Sequence, residues 1–132
     1  MLEEIVKKIK DVRSRGRCVF VCGNGGSSAN AEHFTNDLFS KGVRAYCLSS
    51  NTSIITMIAN DFGYKYIYSK QLDMYADPDD LLILISCSGT SENIQEAMKT
   101  FIDQVPIFGG EGTYGDMESA HSALLHKICE AL

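Results

Sequence analysis

Residues 19–29 read Val19-Phe20-Val21-Cys22-Gly23-Asn24-Gly25-Gly26-Ser27-Ser28-Ala29, an apolar run, then a glycine turn, then the start of a helix. Val19, Phe20 and Val21 do not alternate with polar residues, which suits a central parallel strand covered on both faces. Gly23, Gly25 and Gly26 permit positive φ and let a second molecule approach the backbone. Ser27 and Ser28 follow at positions expected to cap a helix whose first N–H groups lack internal partners. A turn of this kind attracts anions, phosphate above all, through aligned N–H donors and the positive helix end. A tight connection with no ligand explains such a turn equally well when it stands alone. A second loop of the same character, Ser86-Cys87-Ser88-Gly89-Thr90-Ser91, follows the most hydrophobic run in the chain, residues 81–85.

Working outward, apolar periodicity predicts helices over residues 2–14, 29–39, 53–59, 64–75, 91–102 and 117–131. Strands are expected at 19–21, 43–48, 81–85 and 105–108. Residues 109–115 hold four glycines and read as a loop. Helices alternating with apolar strands imply an α/β fold, a parallel sheet with helices on both faces and right-handed crossovers. No internal repeat or linker divides the 132 residues, so 1–132 is expected to be one domain. Ligands of such sheets bind beyond the carboxyl ends of the strands, where both serine-glycine loops fall.

A hydrophobic fraction of 45% with 22% charged residues is an ordinary globular composition. No run is long enough to span a membrane, and residues 1–10 are too charged for a signal peptide, so a cytoplasmic protein is expected. The net charge of −5 argues against nucleic acid as a partner. Lys7, Lys8, Lys10, Arg13, Arg15 and Arg17 cluster early, on what reads as the solvated side of the first helix, balanced by the acidic residues between 73 and 80. Any phosphorylated ligand is thus expected to be held by backbone N–H and hydroxyl groups. Cys18, Cys22, Cys47, Cys87 and Cys129 are odd in number and form no C-x-x-C pair, which points to reduced thiols.

The two loops together, with His33, Asn60-Asp61-Phe62-Gly63-Tyr64, Glu118, His121 and His126, resemble the sugar isomerase (SIS) domain family, and within it the phosphoheptose isomerase branch. The resemblance runs from about residue 16 to residue 132. It implies a flavodoxin-like three-layer sandwich and interconversion of sedoheptulose 7-phosphate with D-glycero-D-manno-heptose 7-phosphate, for lipopolysaccharide or capsule heptose. By position it implies that Ser86, Cys87, Ser88 and Ser91 hold the phosphate. Asn24, Gly25, Gly26, Ser27, Asn60, Asp61 and Glu118 would contact substrate. It also places the family's metal and acid-base positions on His33, Asp37, Glu118 and His126, implies zinc, and implies a homodimer or homotetramer with the pocket between subunits.

Three departures accompany the resemblance. The family's glutamate is here Asp37, its glutamine is here Glu118, and the chain is shorter between residues 101 and 110. The last implies a sheet with fewer strands, or one that a partner completes. His33 and Asp37, four residues apart, share one helix face, and Glu118 and His126, eight apart, are nearly in line on another. Two imidazoles and two carboxylates suit a tetrahedral zinc ion. We assign Asp37 as base and His126 as acid, and expect His121 to be structural or subunit-contacting. Singly, each of these side chains is an ordinary helix residue. Two other readings remain open from sequence: a non-catalytic SIS module that binds a phosphosugar or a partner protein, and a generic phosphate-binding α/β domain.

Overall fold

In the computed structural model, which describes residues 1–100 and 102–132, four parallel strands form one sheet in the order β2-β1-β3-β4. They are β1 (Cys18–Gly23), β2 (Arg44–Cys47), β3 (Leu81–Ser86) and β4 (Asp103–Phe108). Register runs Val19↔Ala45 on one side of β1 and Val19↔Leu81 on the other, then Leu81↔Asp103. The six residues of β3 are all buried, as a strand with neighbours on both sides and both faces must be. Each such aliphatic residue contributes about 1.5–3 kcal/mol on burial.

The two-residue period of the strands divides the core. Val19, Val21, Leu81, Ile83 and Ile85 face α1 (Leu2–Ser14), α2 (Gly26–Ser40) and α6 (Tyr114–Glu130). Phe20, Cys22, Leu82 and Leu84 face the other way, toward α3 (Thr52–Asp61), α4 (Ser69–Tyr75) and α5 (Glu92–Met98). The expected α/β fold, a parallel sheet with helices on both faces, is thus present, with four strands.

Three expectations need correction. Residues 64–75 are not one helix: Gly63 at φ 117 breaks the chain, a 3₁₀ turn covers Tyr64–Tyr66, and α4 starts only at Ser69. The helix expected over 91–102 stops at Met98, where Lys99 and Thr100 close it with N–H bonds to Glu96 and Ala97. Phe101, in that expected span, lies outside the described residues. Ser27 and Ser28 do not cap α2 but sit in its first turn. Gly25, at φ 55, is the N-cap, and it alone of the three glycines at 23, 25 and 26 takes positive φ.

At the amino end of the sheet the charges are paired. Asp80, 3% exposed, accepts N–H bonds from Cys18 (2.9 Å) and Asp77 (2.7 Å), with Arg17 Nε at 3.4 Å. Arg17 also pairs with Asp77, Arg15 donates to the Asp79 carbonyl, and Lys8 bridges to Asp103 at 2.7 Å. Among the described residues no helix is long and apolar enough to cross a membrane.

Candidate functional site

At the carboxyl end the two loops meet. Gly23 ends β1 so close to its neighbours that a Cβ would lie 2.8 Å from both the Ile85 and Ser27 carbonyl oxygens. That closeness brings the first turn against the end of β3. A pocket of about 110 Å³ opens between the loops. The first loop contributes Asn24 and Ser27, and the second Ser86, Cys87, Ser88 and Ser91. Tyr114 and Glu118 of α6 close the far side. Among the described residues the lining carries no lysine or arginine; hydroxyl, amide and thiol side chains surround the pocket, with Glu118 as its one carboxylate.

The second loop is shaped by its own side chains. Ser86 Oγ, buried, accepts from Gly89 N at 2.9 Å, and Ser88 Oγ accepts from Thr90 N at 3.2 Å. The Cys87 thiol reaches the Tyr114 carbonyl at 3.8 Å. Glu118 lies against the first turn of α2, where a Cβ on Gly26 would stand 1.7 Å from its Oε2. Asn30 donates to the Glu118 carbonyl at 3.0 Å, so α2 and α6 are tied beside the pocket.

Farther along the same two helices, His33, Asp37 and His126 come together. Their donor atoms all lie within 4.8 Å of one another. Asp37 Oδ2 is 3.4 Å from His33 Nε2 and 3.9 Å from His126 Nε2, and the imidazoles meet edge to face with centroids 5.0 Å apart. Asp37 is half-buried and both rings are exposed, so a ligand can reach them. Glu118 does not join this group. Two imidazole nitrogens and a carboxylate are the donor types that zinc prefers, so the residues present fit that ion with a coordination position left for a further ligand.

Other expected residues are placed differently. Asn60 and Asp61 end α3, both exposed, with Asn60 Nδ2 donating to Asp61 Oδ1 at 3.0 Å. They do not line the pocket. Their neighbours Phe62 and Gly63 line an adjoining depression that shares Asn24 and Ser91 with it. His121 is buried and Nε2 lies 2.7 Å from the Gly109 carbonyl, a structural contact that holds the glycine-rich loop. All five cysteines are free. Burial raises the Cys18 and Cys129 thiols to about 11 and pushes Cys22 up as well.

Sequence reading missed Tyr114, Asn93 and Tyr68. Asn93 and Asn24 exchange amide hydrogen bonds, each 2.8 Å, across 69 residues of chain. The Tyr68 hydroxyl reaches the Gly23 carbonyl and, at 3.0 Å, Asn24 Oδ1. Burial raises the Tyr68 phenol well above its ordinary range, so it stays protonated as a donor.

A parallel sheet with two polar loops meeting at its carboxyl edge defines an α/β domain with its candidate site at that edge. The SIS domain family matches residues 1–101. Phosphoheptose isomerase of Helicobacter pylori is 37% identical over 163 aligned positions, covering 99% of this chain and 84% of the relative. That of Campylobacter concisus is 31% identical over 157 positions, covering 99% and 83%. The solved structure of phosphoheptose isomerase from Neisseria gonorrhoeae superposes with a TM-score of 0.94 at 25% identity, over 98% of this chain and 83% of that one. The chain belongs to the SIS domain family and, within it, to the phosphoheptose isomerase family. Both alignments run over more positions than the 132 residues of this chain, so the relatives carry segments that it lacks.

Proposed function

We propose that this chain is a cytosolic sugar-phosphate ketol isomerase acting on sedoheptulose 7-phosphate. The observation that carries the reading is the meeting of the two loops in one pocket, with a His–Asp–His group farther along α2 and α6, in a phosphoheptose isomerase relative. Ser86, Cys87, Ser88 and Ser91 hold the phosphoryl group through hydroxyl, thiol and backbone donors. Asn24 and Ser27 bind the chain of the sugar, with Gly25 giving it backbone room, while the space over Gly26 is taken by Glu118. Glu118 accepts sugar hydroxyls at the foot of α6, and Asn60 and Asp61, which lie outside this pocket, are given no substrate contact in it.

Isomerisation moves a proton between adjacent carbons through an enediolate. Asp37 takes the carbon-bound proton from C1 of the ketose and returns it to C2. His126 gives a proton to the C2 carbonyl oxygen as negative charge grows there, and takes the C1 hydroxyl proton back as the aldehyde forms, which restores it for the next turnover. His33 orients the Asp37 carboxylate through their 3.4 Å contact. His33, Asp37 and His126 would hold zinc, which supplies Lewis-acid polarisation of the sugar oxygens when bound. The protein works as a homo-oligomer in which a second subunit covers the open side of the pocket.

Incubation with sedoheptulose 7-phosphate, with and without zinc, tests the reading. The expected result is appearance of the aldose 7-phosphate by NMR. A rise in melting temperature with the sugar but no product in either condition would show a binding module instead. Light scattering tests the assembly, and a monomer would sink that part.

A further inference from the structure

Three distant segments converge on one side chain. Asn24 belongs to the first loop, Asn93 to α5 behind the second loop, and Tyr68 to the entry of α4. Asn93 and Tyr68 are each only 2% exposed, beside the apolar cluster of Phe20, Cys22, Leu84 and Ile94. Burying amides and a phenol there is costly unless they are bonded, and an apolar packing would serve stability at least as well. Yet every contact they make points to the loop junction. The reciprocal amide pair uses one N–H and the oxygen of each carboxamide. Asn24, which lines the pocket, therefore keeps one amide hydrogen for a ligand oxygen.

We propose that Asn93 and Tyr68 are positioning residues for the pocket: their clasp on Asn24 fixes the spacing of the two loops before a ligand arrives. Neither is assigned contact with the sugar. The clasp rests on the isomerase reading only for its consequence in turnover. Its mechanical content, that the loops are held to each other, is independent of substrate.

Hydrogen exchange of the ligand-free protein and steady-state kinetics with sedoheptulose 7-phosphate test it together. In Asn93→Ala, amide exchange should quicken in residues 23–27 and 86–91 alike, by about tenfold, as expected for loss of buried hydrogen bonds. KM should rise by about tenfold with kcat changed much less, because a loosened binding loop weakens ground state and transition state together. Tyr68→Phe removes one hydroxyl, should shift both readouts the same way by less, and stands in if Asn93→Ala does not fold. Quickened exchange confined to α5, with residues 23–27 unchanged, overturns the clasp whatever the kinetics, and so does an unchanged KM in an active protein. No turnover by the unsubstituted protein would sink the isomerase reading, while the exchange data would still decide the clasp.

Discussion

The two ends of the sheet use polar residues in opposite ways. At the amino end Arg17 pairs with Asp77 and Asp80, Arg15 pairs with Asp11 and donates to the Asp79 backbone carbonyl, and the buried Asp80 ties β1 to the turn before β3. At the carboxyl end the polar groups are mostly neutral, and they face a cavity instead of a partner. Full charges that neutralise each other give a fixed join. Neutral donors gathered around a space give a place for an anion, because they cost less than full charges to take out of water when a ligand closes over them. One end of the molecule is therefore expected to govern stability and the other turnover, with little crossover.

The largest expected effect lies on the α2–α6 side of the functional end. Asp37→Asn and His126→Ala should each lower turnover of sedoheptulose 7-phosphate by about 10²–10⁴-fold, the usual contribution of a positioned acid or base. Melting temperature should barely move, since neither residue is buried. Unchanged turnover in both would sink the assignment. At the other end, Asp80→Ala leaves the Cys18 and Asp77 N–H groups without their acceptor, while Arg17 keeps Asp77. A loss of about 1–3 kcal/mol in urea unfolding is expected, with the affinity for sugar phosphate unchanged while the protein is folded. A changed affinity at moderate denaturant-free temperatures would show that the two ends are coupled after all.

Alkylation gives a smaller, graded test. With iodoacetamide at pH 8, Cys87 should react first, because it lines the pocket and is only half-buried. Cys18 and Cys129, raised to about 11, hold about one thiolate in a thousand at that pH, and mass spectrometry should find them slow. Added sugar phosphate should slow labelling of Cys87 alone. The smallest effect concerns α6. The Thr113 N–H and hydroxyl-capped turn hold the Asp116 carboxyl below its ordinary value. Its folded value being depressed, its stabilisation is present above the ordinary carboxylate range and lost as pH falls through the folded value. Asp116→Asn should therefore melt slightly earlier than the parent at pH 7, and the two curves should merge under acid conditions.

How much of this was legible in sequence follows from the range of each interaction. The runs at 19–21 and 81–85 announced central strands, because a strand buried on both faces must be apolar throughout. His33 with Asp37 declared a shared face because helical spacing is local. Residues 64–75 misled because their aromatics fit a helix, a turn or a strand, and Gly63 decided among them through the backbone. Ser27 and Ser28 looked like caps because serine favours that position, but Gly25 reached the needed conformation first. Asn93 carried no signal at all. Its meaning comes from a partner 69 residues away, and no local pattern marks an amide that will be buried against another.

The crowding at Gly23 has an evolutionary corollary. With two carbonyl oxygens 2.8 Å from where a β-carbon would sit, no side chain fits without prising β1 and the first turn away from β3. In a saturation library selected for function, every other residue at this position should vanish, while its neighbour Cys22, which touches no ligand in this reading, still admits small apolar survivors.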